Sequence, residues 1–266
     1  MHKEDRPIEF NGRTFKRVVC WFSAGSASAV ATNLALHKYG KENCVVVYQD
    51  TGSEHPDNAR FIRQFEETHD IKIEIIKSEK YSDIWDVFQQ RRYIVGIAGA
   101  PCTTELKRMV AERYLNFFDD LEVLGYTSEE SNRLDKWVKN NEERFIDPIL
   151  ITMNYDKHIC HQIIQSLNIE LPAMYKLGYQ NNNCIGCVKG QSGYWNKIRK
   201  DFPEVFDRMA KLERTIGAAI CKTEPLDPLT GKRQRIPVYL DELDPNAGRY
   251  LDEPPMTCGF LCGADE

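Results

Sequence analysis

No window of this sequence is apolar for long enough to span a bilayer, and its first residues, MHKEDRPIEF, carry charge where a secretory leader carries an apolar core. Both absences predict a cytoplasmic protein with no membrane partner. An excess of positive charge is lacking too. Lys and Arg number 35 against 40 Asp and Glu, a net charge of −5. The chain as a whole is therefore no polyanion binder, and any nucleic-acid contact has to be a local basic patch. Internal repeats and low-complexity linkers are also missing, which excludes solenoids and arrays. With 266 residues, 42% of them hydrophobic, there is enough apolar material for one large domain, or for one domain with an appendage.

Cysteine, by contrast, is plentiful at nine. In a reducing compartment clustered cysteines serve as metal ligands or reactive thiols more often than as disulfides. Cys20, Cys44, Cys160 and Cys221 sit singly in apolar or helical surroundings and read as small core residues. Cys102, Cys184, Cys187, Cys258 and Cys262 lie beside Pro, Gly and Asn, in loops.

Apolar runs at RVVCWF, ENCVVVYQDTG, IKIEII and LEVLGYT alternate with helical stretches, among them PDNARFIRQFEETH, YSDIWDVFQQRR and CTTELKRMVAERYLNFF. Strand and helix in alternation predict a parallel twisted sheet with helices on both faces. Beyond about residue 150 the pattern changes: 155–167 and 192–216 read as helices, and EPLDPLTGKRQRIPVYLDELDPN as a hairpin around Thr230-Gly231. The expected organisation is an α/β domain over 1–150. A smaller helical and hairpin subdomain over 151–266 carries the C-x-x-C loop and a cysteine-bearing tail.

Ligands of such sheets lie at the carboxyl ends of the strands. At the first of these ends the apolar run Val18–Phe22 breaks into Ser23-Ala24-Gly25-Ser26-Ala27-Ser28, and helical spacing begins at once. Small residues let backbone N–H groups approach an anion, the following helix adds its positive end, and the Ser23, Ser26 and Ser28 hydroxyls can donate to phosphate oxygens. A tight strand–helix connection without a ligand is the other reading. No Gly-Lys-Ser/Thr follows and the dinucleotide glycine spacing is absent, so this is neither a Walker loop nor a Rossmann fingerprint.

The loop resembles the PP-loop of the adenine-nucleotide alpha-hydrolase-like superfamily, which includes phosphoadenylyl-sulfate (PAPS) reductases and ATP pyrophosphatases. Three more stretches are similar in the same order: DTGSEHPDNARFI, PCTTELK and GYTSEESNR, the last matching at Gly125, Glu130, Ser131 and Arg133. The resemblance covers about residues 17–135 plus the cysteine loops, and is nearest to PAPS-reductase-like proteins encoded by bacteriophages. It implies an adenine nucleotide, PAPS or ATP, on Ser23, Ala24, Gly25, Ser26, Ser28, Asp50, Thr51, Gly52, Gly125, Glu130 and Ser131. Lys107 and Arg133 would balance the charge of a sulfate. Ala24 replaces a glycine of the ATP-cleaving pattern, Ala27 replaces its aspartate, and Thr127 stands where a basic residue is common. Without an acid at 27 a Mg²⁺ ligand is missing, so binding is expected more than cleavage to AMP and pyrophosphate. Asp50 would serve the adenosine or a Mg²⁺, or be a satisfied carboxylate at a strand end.

Cys184-x-x-Cys187 can grip one metal with two thiolates, and Cys102 lies near a helix start that favours the thiolate. With the tail thiols this makes a soft site for a 4Fe–4S cluster or for zinc. The resemblance favours the cluster, with ligands at Cys102, Cys184 and Cys187; Cys102 stands alone where cluster-bearing relatives have adjacent cysteines, so Cys262 is expected to supply the fourth. The resemblance also assigns Cys258, in MTCGFL, as the nucleophile that attacks a sulfate sulfur; the exchanged assignment, Cys258 as fourth ligand, stays open. A thiol reductant or a sulfur-donor protein is the implied partner.

Lys189, Lys197, Arg199 and Lys200 beside Tyr194 and Trp195, with Lys232, Arg233 and Arg235 further on, could hold phosphates and stack bases, or be a solvated helix face with an aromatic core anchor. His55 reads as an exposed polar residue. The expected function is thiol-dependent reduction of a sulfonucleotide to sulfite. ATP-dependent sulfur insertion into a nucleic acid is one alternative. A non-enzymatic nucleotide-binding module with structural zinc is the other.

Overall fold

The computed structural model describes residues 7–96, 99–224 and 233–256. A short antiparallel hairpin of β1 (Ile8–Phe10) and β2 (Arg13–Phe15) precedes the sheet. Its turn is Asn11-Gly12, both at positive φ (48° and 75°), the backbone that two-residue hairpin loops require.

Five parallel strands follow: β3 (Arg17–Trp21), β4 (Cys44–Asp50), β5 (Ile73–Lys77), β6 (Asp120–Val123) and β7 (Ile146–Asp147), in the spatial order β5-β4-β3-β6-β7. The four expected strands are present; β7 is additional. The stretch LEVLGYT leaves the sheet after Val123, so Gly125 belongs to a loop. β3 is central, and Val18, Val19, Cys20 and Trp21 are all buried. Val18 and Cys20 face the core that holds helix α1 (Ser26–Tyr39) and α2 (Asn58–His69). Val19 and Trp21 face a second core with Ala111, Leu134 and Trp137. Apolar side chains on both faces are what a central parallel strand needs, and they explain an unbroken apolar run in place of an alternating one.

The predicted helix over CTTELKRMVAERYLNFF runs from Pro101 to Tyr114, with a π-helical turn at Thr104–Arg108 that includes Lys107. The helix expected over 192–216 is two, Ser192–Asp201 and Pro203–Ile216. Pro203 has no N–H to continue the first and is suited to open the second. Helix Lys157–Ser166 inserts Cys160 and Ile164 into the core against α1. Ile84, Trp85 and Phe88 of helix α3 (Ile84–Arg91) share a third core with Trp195, Ile198 and Phe206. β8 (Cys221–Thr223) pairs antiparallel with β9 (Ile236–Val238); the expected turn at Thr230-Gly231 lies outside the described residues. Among the described residues no helix is long and apolar enough to cross a membrane.

Candidate functional site

β3 is paired with β4 on one side and β6 on the other, so the connections leaving its carboxyl end diverge and open a crevice there. A cleft of about 1080 Å³, counted out to the solvent at its mouth, occupies this crevice. Of the residues singled out in the sequence, Ser23, Gly25, Ser28, Lys107, Gly125, Glu130, Arg133 and Cys184 line it.

The first wall is the 23–28 loop. Ala24 is fully buried at φ +56°, a left-handed backbone that usually selects glycine. Here the methyl is tolerated, and the carbonyl of Ala24 accepts from Asn182 Nδ2 at 2.7 Å. The loop hydroxyls are already engaged. Ser23 Oγ donates to Ser28 Oγ at 3.0 Å, and Ser28 Oγ donates to the Gly25 carbonyl at 3.0 Å. Ser26 N and Ser26 Oγ both donate to Tyr175 Oη, at 3.3 and 3.4 Å. An anion here would draw mainly on first-turn N–H groups of α1, which have no intrahelical acceptor.

The second wall is the 125–133 segment. A Cβ on Gly125 would lie 2.5 Å from Ser28 N and 2.6 Å from Ser28 Cα. Only glycine lets this loop close onto the start of α1. Thr127 is buried and forms a capping box with Glu130. Glu130 Oε1 also pairs with Arg133 Nη1 at 3.1 Å, and the Arg133 guanidinium lies over the Tyr126 ring at 5.1 Å. Ser131 begins helix Ser131–Lys139. From the π-helical turn, the Lys107 carbonyl accepts from Gln49 Nε2 at 2.8 Å.

Asp50 faces elsewhere. It accepts from Gly52 N at 2.8 Å and borders a separate depression with Gly52 and His55; Gln49 and Glu54 reach the cleft from the same strand end. Gly52 (φ +65°) lies so near Ser82 O that a Cβ would sit 2.3 Å away. Buried Thr51 has its Oγ1 3.1 Å from Cys184 Sγ, and Cys184 Sγ is 3.8 Å from Glu54 Oε1. His55 Nδ1 accepts from Asp57 N.

The C-x-x-C loop is docked, not splayed. Ile185 N donates to Ser53 O at 2.9 Å, and Tyr194 Oη accepts from Gly186 N and Cys187 N at 3.0 and 2.9 Å. Cys184, Cys187 and, partly buried, Cys102 pack into the third core. Among the described residues no group of three or more His, Cys, Asp or Glu side chains is placed to hold a metal ion. Cys258 and Cys262 lie outside the described residues. The described donors therefore do not by themselves fit a four-thiolate cluster. Burial pushes the Cys160 and Cys221 thiols up to about 12 and raises that of Cys20, whose largest influence is its neighbour Cys44. These three are core thiols.

The aromatics of the basic stretch are interior: Tyr194 and Trp195 are 1% and 0% exposed and cannot stack bases. Lys197 pairs with Asp201, and Arg199 donates to the Leu240 and Leu243 carbonyls. The core-anchor reading is the one realised for these side chains.

Sequence reasoning missed Lys157, Tyr175, Asn181, Asn182, Asn183 and Met256, all of which line the cleft. Lys157 Nζ donates to Gln180 O at 2.8 Å and to Asn181 Oδ1. Asn181 Nδ2 and Asn183 Nδ2 both donate to the Met256 carbonyl, at 2.8 and 2.9 Å. The triple asparagine Asn181–Asn183 is visible in the sequence as a polar flank of the cysteine pair. Lys157 has no such signal.

Residues 17–192 match the family described as the phosphoadenosine phosphosulfate reductase domain. The chain belongs to this family. The matched span starts at the first residue of β3 and takes in every cleft segment named above except Met256. Among relatives of this PAPS reductase-domain chain, an uncharacterised protein of Methanocaldococcus jannaschii is 26% identical over 210 residues, or 75% of this chain and 42% of that protein. The chain thus spans less than half the length of that relative. The crystal structure of the PAPS reductase of Candida auris, a phosphate complex, aligns with 64% of this chain and 82% of its own at 13% identity and a TM-score of 0.45.

Proposed function

We propose that the cleft binds an adenine nucleotide bearing a sulfate, and that the chain reduces it to sulfite with thiols. The observation that carries this reading is the position of Met256. Asn181 and Asn183 hold its carbonyl at the cleft, and Cys258 follows two residues later in the sequence. Cys258 is the tail thiol that this reading assigns as the nucleophile.

In this reading first-turn N–H groups of α1 hold a phosphate, and Lys107 and Arg133 offset charge on the sulfate. The Cys258 thiolate attacks the sulfate sulfur, the bond from sulfur to the phosphate oxygen breaks, and the nucleotide phosphate leaves. A second thiol then attacks Cys258 Sγ and expels sulfite. Two thiols become a disulfide, sulfur(VI) becomes sulfur(IV), and a thiol reductant restores the pair. Residues 1–150 would form the nucleotide-binding part, and 151–266 would supply the closing wall through Lys157, Tyr175 and the asparagines. A soft metal or 4Fe–4S cluster on Cys102, Cys184, Cys187 and one tail cysteine is a separate proposal, on which no step of this reduction depends.

The test is anaerobic. Sulfite from PAPS or from adenosine 5′-phosphosulfate with excess dithiol, lost in Cys258→Ser, supports the reading. Pyrophosphate released from ATP, with no sulfite from either sulfonucleotide, overturns it. Iron per chain in Cys102→Ser, Cys184→Ser, Cys187→Ser and Cys262→Ser decides the cluster separately, and stoichiometric zinc would replace it.

A further inference from the structure

Lys157 is placed where neither helix electrostatics nor an ion pair accounts for it. It is the first residue of helix Lys157–Ser166, behind the cap Asp156, whose side chain accepts from Ile159 N. A cation at that end opposes the helix dipole. Its side chain is half-buried in the cleft wall, and no carboxylate lies within ion-pair distance of it among the described residues. Two neutral oxygens, Gln180 O and Asn181 Oδ1, aim its ammonium. Burial holds the amine below its ordinary range, although Glu130 and Glu129 from the neighbouring turn act the other way. A half-buried charge at the cleft wall, aimed by neutral groups and paired with no carboxylate among the described residues, describes a surface that an anionic ligand completes.

We infer that Lys157 is a ligand-binding residue that pairs with an oxyanion, a phosphate or sulfate group, of the molecule held in the cleft. The inference rests on the reading of the cleft as a nucleotide site. It adds a specificity-determining cation from the far half of the chain to the loop and Arg133, and it assigns the 157–183 wall to the ligand's charged end. The sequence gives no sign of this, because Lys157 becomes unusual only once it is seen in the cleft.

Calorimetric titrations with adenosine, AMP, adenosine 3′,5′-bisphosphate, adenosine 5′-phosphosulfate and PAPS, on the full chain and on Lys157→Met and Lys157→Arg, test it. Lys157→Met is expected to weaken at least one phosphorylated or sulfated ligand by about tenfold or more, with adenosine unchanged and Lys157→Arg largely restoring affinity. The ligand that loses most identifies whether a 3′-phosphate, a 5′-phosphate or the sulfate is gripped. Equal losses for adenosine and the charged ligands, or no loss, overturn the inference. If the unmodified chain binds no nucleotide, the proposed function falls. Inorganic phosphate and sulfate then decide the inference by thermal shift: protection of the unmodified chain but not of Lys157→Met upholds it, and protection of neither or both overturns it. Lys157→Met without ligand is expected to melt somewhat lower, because Gln180 O and Asn181 Oδ1 lose their donor; an Arg variant that restores the melting temperature but not the affinity would make the residue structural and overturn the assignment.

Discussion

Asn182 Nδ2 donates to the carbonyl of Ala24 at 2.7 Å across 158 residues of sequence. This bond ties the strained turn of the 23–28 loop to the segment that carries Cys184, so the anion loop and the thiol loop are held as one unit. The same Nδ2 donates to Asn58 Oδ1 at 2.8 Å.

Asn182→Ala should therefore act on both loops. It leaves the buried Ala24 carbonyl unsatisfied and is expected to cost about 1–3 kcal/mol in denaturant unfolding. Hydrogen exchange should speed up in 23–28 and in 180–187 together. Faster exchange in one segment alone would show that the bond does not couple them.

Gly125→Ala tests the close approach of the second wall to α1. A Cβ at 2.5 Å from Ser28 N cannot be accommodated by a flexible side chain, because the neighbour is backbone. Expected are a loss of about 1–3 kcal/mol of stability and a larger fall in nucleotide affinity than in stability, measured by urea unfolding and calorimetry. Unchanged affinity would separate the 125–133 segment from the ligand.

Tyr194→Phe keeps the ring and removes one oxygen. That oxygen is the acceptor for two amides of the C-x-x-C loop, Gly186 N and Cys187 N. Leaving both unmet in a buried setting should cost about 1–3 kcal/mol or more. The thiols of Cys184 and Cys187 should alkylate faster while the far-ultraviolet circular dichroism is unchanged. An unaltered alkylation rate would mean the loop is held by other contacts.

The pH dependence of His161 reports on Lys157. Burial first, then the charge of Lys157 and that of His158, holds the His161 imidazole below its ordinary value of 6.5. With the folded value depressed, the unfolded chain binds the proton first. The His161 contribution to stability is full above about pH 6.5 and is lost as pH falls from there through the folded value. In Lys157→Met one of these causes is gone, so the His161 titration followed by NMR should move upward and the acid-side loss should shrink. A stationary His161 titration would place Lys157 too far away to be felt.

Much of the sheet was legible because its cause is local. Val18–Trp21 and Cys44–Asp50 are apolar runs ended by small or turn residues, and such runs bury on both faces wherever they are placed. The hairpin at Asn11-Gly12 was equally local and went unread, although an Asn-Gly pair between short alternating stretches signals that turn. β7 has two residues, Ile146 and Asp147, too few for any periodicity. In the cleft, Ser23, Gly25, Ser28, Gly125, Glu130 and Arg133 were found because their segments have recognisable spacing. Tyr194 and Trp195 showed the limit of composition: aromatics among basic residues look the same whether the helix turns them to solvent or to the core.

The sequence alone determined the alternation of strands and helices, the small-residue loop after β3 and the thiol-rich segments, since each follows from residue types within a few positions of one another. Only the tertiary structure decided which of those segments share a cleft. It turned Asp50 away, sent Tyr194 inward, and brought Lys157 and Asn182 to the mouth of β3. Asn182 and the helix that carries Lys157 reach the cleft through contacts with Ala24 and α1 more than a hundred residues away, where a side chain's role is set by what packs against it and not by its neighbours in the chain.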